Sequence, residues 1–238
     1  MPDPWVFVDA IGPEGSGAPL DPDTVDHLVR VLRLGDGAPL VVSDGRGRYA
    51  SGELAGQDVV VRSDPVLVPA ETTSIHVLQA IPKGRRFDDV VRVLTEIGVE
   101  RVTAVTAERS VTRLGPGKAE RALDRWRAVA RAAAEQSRRA WRPTISGPAT
   151  VDDLAGDHDL AGVVAHVGAT VGLSEAIDGW TGPDLCIAIG PEGGWSDREV
   201  SLWATAGLHE VHLGRTVVRT DHAAALAAAV CAAQLGRL

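Results

Sequence analysis

Between Leu185 and Val200 the chain reads LCIAIGPEGGWSDREV, and this stretch constrains the fold more than any other. Leu185-Cys186-Ile187-Ala188-Ile189 is a continuous apolar run of strand length, bounded by the turn formers Gly190-Pro191-Glu192-Gly193-Gly194. Regular structure restarts at Ser196-Asp197-Arg198-Glu199, where Ser196 and Glu199 have the spacing of a capping box. In that motif a hydroxyl and a carboxylate reciprocally satisfy free amides at a helix start. Buried strand, glycine turn and helix follow one another, which is the repeating unit of an α/β sheet. Ligands of such sheets sit at the carboxyl ends of the strands.

The alternation extends upstream and downstream. Ile75 to Ala80 reads as a buried strand, and Phe87 to Gly98 as a helix with Val90, Val91, Leu94 and Ile97 on one side. Val102 to Val105, Val163 to Val167 and Glu210 to Leu213 read as further strands, Lys118 to Ala140 as a long helix, and Ala223 to Leu235 as the closing helix. The pattern predicts a mainly parallel sheet covered on both faces. Residues 1–70 differ. Trp5-Val6-Phe7-Val8, Pro39 to Val42 and Asp58 to Arg62 are short apolar runs separated by turn formers, with Asp44-Gly45 as a hairpin signal and one helix from about Asp23 to Leu32. They predict a small barrel-like β module, joined through a linker around Pro65 to Thr73 to an α/β domain spanning 74–238.

Composition narrows the function. A net charge of −8 argues against indiscriminate nucleic-acid binding but leaves room for local basic faces. Three such faces exist: Arg30 with Arg33; Lys83, Arg85 and Arg86; and Arg121, Arg125, Arg127, Arg131, Arg138, Arg139 and Arg142, opposed only by Asp124 and Glu135. Phosphate-facing arginines suit an RNA partner, although a solvated helix face is the usual fate of such runs. Aromatic residues are few, so base stacking is not the expected mode of recognition. No apolar run approaches the roughly 20 residues of a membrane span, and the first ten residues lack a secretory pattern. Cys186 and Cys231 read as buried small hydrophobes in a reducing, cytoplasmic compartment. No Cys/His spacing suggests a metal site.

The glycine turn matches neither G-x-G-x-x-G nor Walker A, and no Lys-Ser/Thr follows to hold a triphosphate. A second turn, Leu213-Gly214-Arg215-Thr216-Val217-Val218-Arg219-Thr220-Asp221, also lies between a strand and a helix, with Thr220 as its predicted N-cap. The two turns are expected to form adjacent walls of one pocket. A plain strand-to-helix connection is the alternative for the first.

GPEGGWSDRE followed by LGRTVVRTDHAAALAA resembles the ribosomal small-subunit RNA methyltransferase E family, of the SPOUT class of trefoil-knotted methyltransferases. Lys83-Gly84 with Glu96-Ile97-Gly98-Val99, Glu108-Arg109-Ser110-Val111, Arg125-Trp126 through Ala134-Glu135-Gln136-Ser137, and His27-Leu28 through Arg33 resemble further family stretches in the same order. Departures are Thr216 where the family has arginine, Asp221 for glutamate, His222 for threonine, and an N-terminal Met1 to Trp5 without the usual arginine.

The resemblance implies transfer of a methyl group from S-adenosylmethionine (SAM) to N3 of a uridine in 16S ribosomal RNA, without a metal. It implies a knotted C-terminal domain, a PUA-like RNA-binding N-terminal domain and a homodimer with the small ribosomal subunit as partner. The donor would lie against Gly190, Pro191, Glu192, Gly193, Leu213, Gly214, Val218, Arg219, Thr220 and Ala223. Because the donor is already activated, alignment does much of the work, and the protein must remove the N3 proton and stabilise charge on the base. The candidates are Arg219, Glu135 and Glu192. Glu192 has a second reading as a turn-fixing acceptor, Glu135 as an ion-pair partner of Arg131 or Arg138, and Asp221 as a helix N-terminal charge. His27, Arg30, Arg33, Lys83, Arg85, Arg86 and Arg138 are the candidates for RNA contact. The face Ala223-Ala224-Ala227-Ala228 suits either a dimer contact or a core contact. Other readings are a SPOUT enzyme acting on ribose 2′-OH or a tRNA base, and a non-catalytic RNA-binding assembly factor.

Overall fold

The computed structural model describes residues 3–156 and 160–238. Met1 and Pro2, part of the N-terminal stretch considered above, lie outside the described residues. The chain divides into two compact units. The first comprises Met1–Ala70 with Arg131–Arg142, the second Glu71–Ala130 with Pro143–Leu238.

The first unit carries β1 (Trp5–Phe7), β2 (Gly17–Pro19), α1 (Pro22–Asp26), β3 (Pro39–Ser43), β4 (Arg48–Ala55), β5 (Asp58–Val61) and β6 (Val66–Leu67). One sheet runs β1-β3-β4-β5-β2, with β6 paired to β4. Its core gathers Val6, Leu28, Leu40, Val42, Leu54 and Val59. The Asp44-Gly45 turn joins β3 to β4, and Asp44 Oδ1 accepts the amides of Arg46 and Arg48 at 2.8 and 3.1 Å. β6 lies inside the stretch read as a linker. The helix expected from Asp23 to Leu32 is instead α1, started by the Asp21 side chain, followed by one π-helical turn at His27–Val31.

The second unit carries β7 (Ser74–Ala80), α2 (Arg86–Ile97), β8 (Arg101–Thr106), α3 (Pro116–Gln136), β9 (Thr144–Thr150), α4 (Val151–Ala155), β10 (Gly162–Ala165), α5 (Leu173–Ala176), β11 (Asp184–Ile189), α6 (Asp197–Thr205), β12 (Leu208–Val211) and α7 (Thr220–Gln234). The final turns of α3 fall in the first unit. The sheet order is β12-β10-β11-β7-β8-β9, with every neighbouring pair parallel. Strand alternation divides its side chains between two cores. Ile75, Val77, Leu185 and Ile187 face α2, α7 and Trp126, whereas Leu78, Ala80, Cys186 and Ala188 face Trp195 and Trp203. A sheet buried on both faces explains why Leu185 to Ile189 of β11 reads as a continuous apolar run.

Several boundaries differ from the sequence reading, among them the end of β10, which stops at Ala165 rather than Val167. α3 stops at Gln136 rather than Ala140. Arg138 adopts φ 57°, and the Arg139 amide reaches back to the Ala134 carbonyl at 2.9 Å. This is a Schellman-type stop without the glycine that usually signals it. α7 begins at Thr220, and its N-cap is Arg219, not Thr220. The strand expected over Glu210 to Leu213 is β12, which starts and ends two residues earlier. The predicted capping box at α6 is present, with Ser196 N to Glu199 Oε2 at 2.9 Å and Glu199 N to Ser196 Oγ at 3.1 Å. The Ala223, Ala224, Ala227 and Ala228 face is buried within the chain's own core, so it makes the core contact of the two weighed.

Candidate functional site

The carboxyl end of β11 and the segment after β12 open onto one pocket of about 590 Å³, within the usual range for small-molecule sites of about 300–1,000 Å³. Gly190 to Gly194 form one wall, Leu213 to Thr220 the other, and Ala223 of α7 closes it. Every residue expected to hold a methyl donor lines this pocket: Gly190, Pro191, Glu192, Gly193, Leu213, Gly214, Val218, Arg219, Thr220 and Ala223.

Short side-chain bonds fix the first wall. The Thr220 hydroxyl donates to the Gly190 carbonyl at 2.5 Å and accepts from Gln79 Nε2 at 3.0 Å. Thr220 therefore pins the turn to the sheet instead of capping its helix. Glu192 Oε1 accepts the Lys83 amide at 3.0 Å, which ties the turn to the loop ahead of α2. Arg109 was not singled out from the sequence. Its Nη1 donates to the carbonyls of Trp195 at 3.0 Å and Gly193 at 3.3 Å, and it lines the pocket. Its sequence signal is confined to membership of the Glu108-Arg109-Ser110-Val111 stretch. Glu199 reaches beyond its capping box to accept the Glu108 amide at 2.7 Å, so α6 also positions this segment.

Charge at the mouth is organised around Asp221. Arg219 Nη2 lies 3.0 Å from Asp221 Oδ2, and Arg86 Nε lies 3.8 Å from the same oxygen. Burial acts to raise the Asp221 pKa, but the Arg219 hydrogen bond, backbone hydrogen bonding and the Arg219 and His222 charges outweigh it and hold the carboxyl below its ordinary value. Arg219 itself is 56% exposed and is held to Asp221 by both Nε and Nη2.

Two residues that line the pocket, Trp195 and His212, carry buried ring nitrogens, Nε1 and Nδ1, without a hydrogen-bond partner among the described residues. A Cβ at Gly190 would come within 3.1 Å of Trp195 Nε1, and one at Gly193 within 3.1 Å of Arg109 Cβ. The two turns present backbone groups to the pocket beside the apolar Leu213 and Val218, a lining that suits a mixed polar and apolar molecule such as a nucleoside sulfonium.

Glu135 does not line this pocket. Its Oε1 accepts from Arg131 Nε at 3.2 Å and from the Phe7 amide at 3.4 Å, while Arg131 also meets Asp21 at 2.6 Å. The ion-pair reading of Glu135 is thus realised with Arg131. Of the RNA-contact candidates, His27 opens the π-helical turn, Arg30 pairs with Asp26 at 2.8 Å, and Arg33 is exposed with φ 58°. Arg138 Nη2 reaches the Asp3 carbonyl at 3.4 Å. Lys83, Arg85 and Arg86 share the loop before α2 and its first turn. Among the described residues no group of three or more His, Cys, Asp or Glu is placed to hold a metal ion, and no helix is long and apolar enough to cross a membrane.

A family model described as an RNA methyltransferase domain matches residues 69–232. The chain is 35% identical over 234 residues to the ribosomal RNA small subunit methyltransferase E of Mycobacterium tuberculosis, covering 93% of this chain and 88% of that protein. It is 32% identical to the protein of the same name from Synechocystis sp., over 85% of this chain and 68% of that one. A Legionella pneumophila protein described as a methyltransferase, solved in complex with SAM, superposes with a TM-score of 0.87 at 26% identity, covering 98% of both chains. The Neisseria gonorrhoeae ribosomal RNA small subunit methyltransferase E, solved with SAM, has a TM-score of 0.85 at 23% identity over 97% of both chains and supports the fold.

Proposed function

The chain belongs to the ribosomal RNA small subunit methyltransferase E family, and from that premise we propose that it methylates N3 of a uridine in 16S ribosomal RNA, using SAM. The observation that carries the reading is the convergence of both glycine-containing turns and the start of α7 on one pocket. SAM, when bound, supplies a methyl group already activated on a sulfonium. The protein's own part is to hold the donor through Gly190, Pro191, Gly193, Leu213, Gly214, Val218, Thr220 and Ala223 and to manage charge on the uridine.

Arg219, oriented by Asp221, stabilises negative charge on a uridine carbonyl oxygen as N3 loses its proton. Glu192 is the carboxylate at the pocket wall suited to receive that proton, directly or through water. Glu135 enters on the family resemblance alone, and its bonds to Arg131 and Phe7 support a structural part instead. Single-turnover methylation separates the two: Glu135→Gln leaves the rate unchanged if the part is structural, whereas Arg219→Ala lowers it.

In this reading residues 1–70 form a PUA-like RNA-binding domain with His27, Arg30, Arg33 and Arg138 toward RNA, and 74–238 a trefoil-knotted SPOUT domain with Lys83, Arg85 and Arg86 beside the target. A homodimer would cover the exposed Val167, Val217 and Leu226. The cytoplasm, where ribosomal subunits are found, is the compartment. The test is methyl transfer to small subunits from cells lacking this enzyme, with the product nucleoside identified by mass spectrometry. Methylation at a ribose or another base overturns the N3 assignment, and absence of transfer overturns catalysis.

A further inference from the structure

A second cavity, of about 310 Å³, lies in the same unit between the loop before α2 and the first half of α3. Its apolar lining includes Phe87 and Trp126, whose ring centroids are 4.2 Å apart, with Leu114 beside them. Its remaining lining includes Arg85, Lys118, Arg121 and Arg125, and no carboxylate contributes to it. In a chain of net charge −8 this is a strong local concentration of positive charge. Arg125 is paired with Asp88 at 3.1 Å, whereas Arg85, Lys118 and Arg121 form no ion pair among the described residues. Trp126 is 1% exposed, and its Nε1 has no hydrogen-bond partner among the described residues.

One short loop links this cleft to the pocket described above. Gly84 and Arg85 line the cleft, the Lys83 amide bonds Glu192 at 3.0 Å, and Arg86 approaches Asp221 at 3.8 Å. We propose that the cleft is a second nucleotide subsite. It holds a nucleotide of single-stranded RNA that flanks the methylated base, with its phosphate on Lys118, Arg121 and Arg85 and its base or ribose against the half-buried Thr112 and Leu114, above the buried Phe87–Trp126 pair. The inference rests on the proposed RNA methyltransferase function and adds where the strand continues. Binding there places the flanking strand next to the loop that braces Glu192 and Asp221, so the subsite acts in positioning.

The test uses the full chain and three readouts: SAM affinity by calorimetry, affinity for a short uridine-containing single-stranded RNA by fluorescence anisotropy across a salt series, and methyl transfer. In the double variant Lys118→Glu/Arg121→Glu, loss of two phosphate contacts lowers the salt slope by about 1.4 and weakens RNA binding about 25-fold near 0.1 M salt. SAM affinity stays at the parent value, which also reports that the variant is folded. Leu114→Trp fills the cleft without changing charge, and it weakens RNA binding at an unchanged salt slope. Arg92→Glu, a reversal on α2 outside the cleft, leaves RNA affinity near the parent value. If the double variant fails to fold, Arg121→Gln replaces it, with a slope lowered by about 0.7.

Parent-like RNA affinity in the charge variants, or in Leu114→Trp, overturns the subsite, as does a parent chain that binds no RNA. Uridine 5′-monophosphate distinguishes the source of the nucleotide. If it binds in the cleft while the RNA does not, the site serves a free nucleotide and the strand assignment is overturned. A parent that binds RNA through these residues yet transfers no methyl group overturns the catalytic reading and leaves the subsite standing.

Discussion

Replacing Thr220 by Val tests whether the donor pocket depends on a single hydroxyl. The substitution keeps the side-chain shape and removes only hydrogen-bonding capacity. Thr220 is 6% exposed and Gln79 fully buried, so water has little access to either. The hydroxyl serves the Gly190 carbonyl at 2.5 Å and Gln79 Nε2 at 3.0 Å. Gln79 Nε2 keeps its bond to the Ala80 carbonyl at 2.7 Å, which makes its loss partial, whereas the Gly190 carbonyl loses the bond that anchors the turn. Leaving a buried polar group unsatisfied costs about 1–3 kcal/mol, so the two together come to about 3 kcal/mol. For a domain of this size that lowers Tm by about 6–12 °C. Differential scanning calorimetry measures it, with Thr220→Ser as the control that retains the hydroxyl. SAM affinity should fall as well, since Gly190 lines the pocket. A Tm within about 1 °C of the parent for Thr220→Val, or an equal loss in Thr220→Ser, would refute the reasoning.

Two further predictions concern neighbouring groups. Arg109→Ala removes the donor that holds the Trp195 and Gly193 carbonyls and should weaken SAM about fivefold by calorimetry, about 1 kcal/mol for a partly exposed charged bond, with little change in Tm. His76, next to Thr103 and Cys186, has its pKa lowered to about 4 by burial and by the Arg101 charge, against an opposing effect of Asp184. The unfolded chain therefore takes up this proton first as pH falls. The contribution of His76 is complete above about 6.5 and is lost toward pH 4, about 3 kcal/mol in all. Thermal melts across that range should show the parent losing stability more steeply than His76→Asn, and parallel curves would show that the group does not drive the slope.

The parts of this fold that rest on local chemistry were readable from the residues. β7, β11 and α2 follow from apolar periodicity and from Gly98, which closes α2 with φ 109°. The Ser196 to Glu199 box was legible for the same reason, because both partners lie within one helical turn. β4 was harder: RYASGELA places Ala50, Gly52 and Leu54 inward, and two of these three are too small to mark an apolar face. β9 contains Pro148 and lies at the sheet edge, where proline is tolerated but its sequence argues against a strand. The part of the site written in the two turns could be read, because each turn is contiguous in the chain. Arg109 could not, since its partners lie more than eighty residues away. Nor could the switch of Thr220 from cap to clamp, which depends on Gln79 arriving from another strand.

The order in which the two units draw on the chain has a consequence for synthesis. The first unit is completed by Arg131–Arg142, where Trp141 Nε1 bonds the Val68 carbonyl at 3.0 Å and Arg142 lies over the Phe7 ring at 5.1 Å. As the chain leaves the ribosome, that unit must wait for about sixty residues of its neighbour before it can close. The neighbour waits longer still. β7, which precedes the other strands of its sheet, lies inside that sheet, and α7, which follows them all, packs against α2, β7 and β11. The first unit can close once Arg142 has emerged, whereas the second cannot close until α7 has been made. Emerging β7 and α2 must keep their apolar faces from aggregating until the alanine-rich helix arrives.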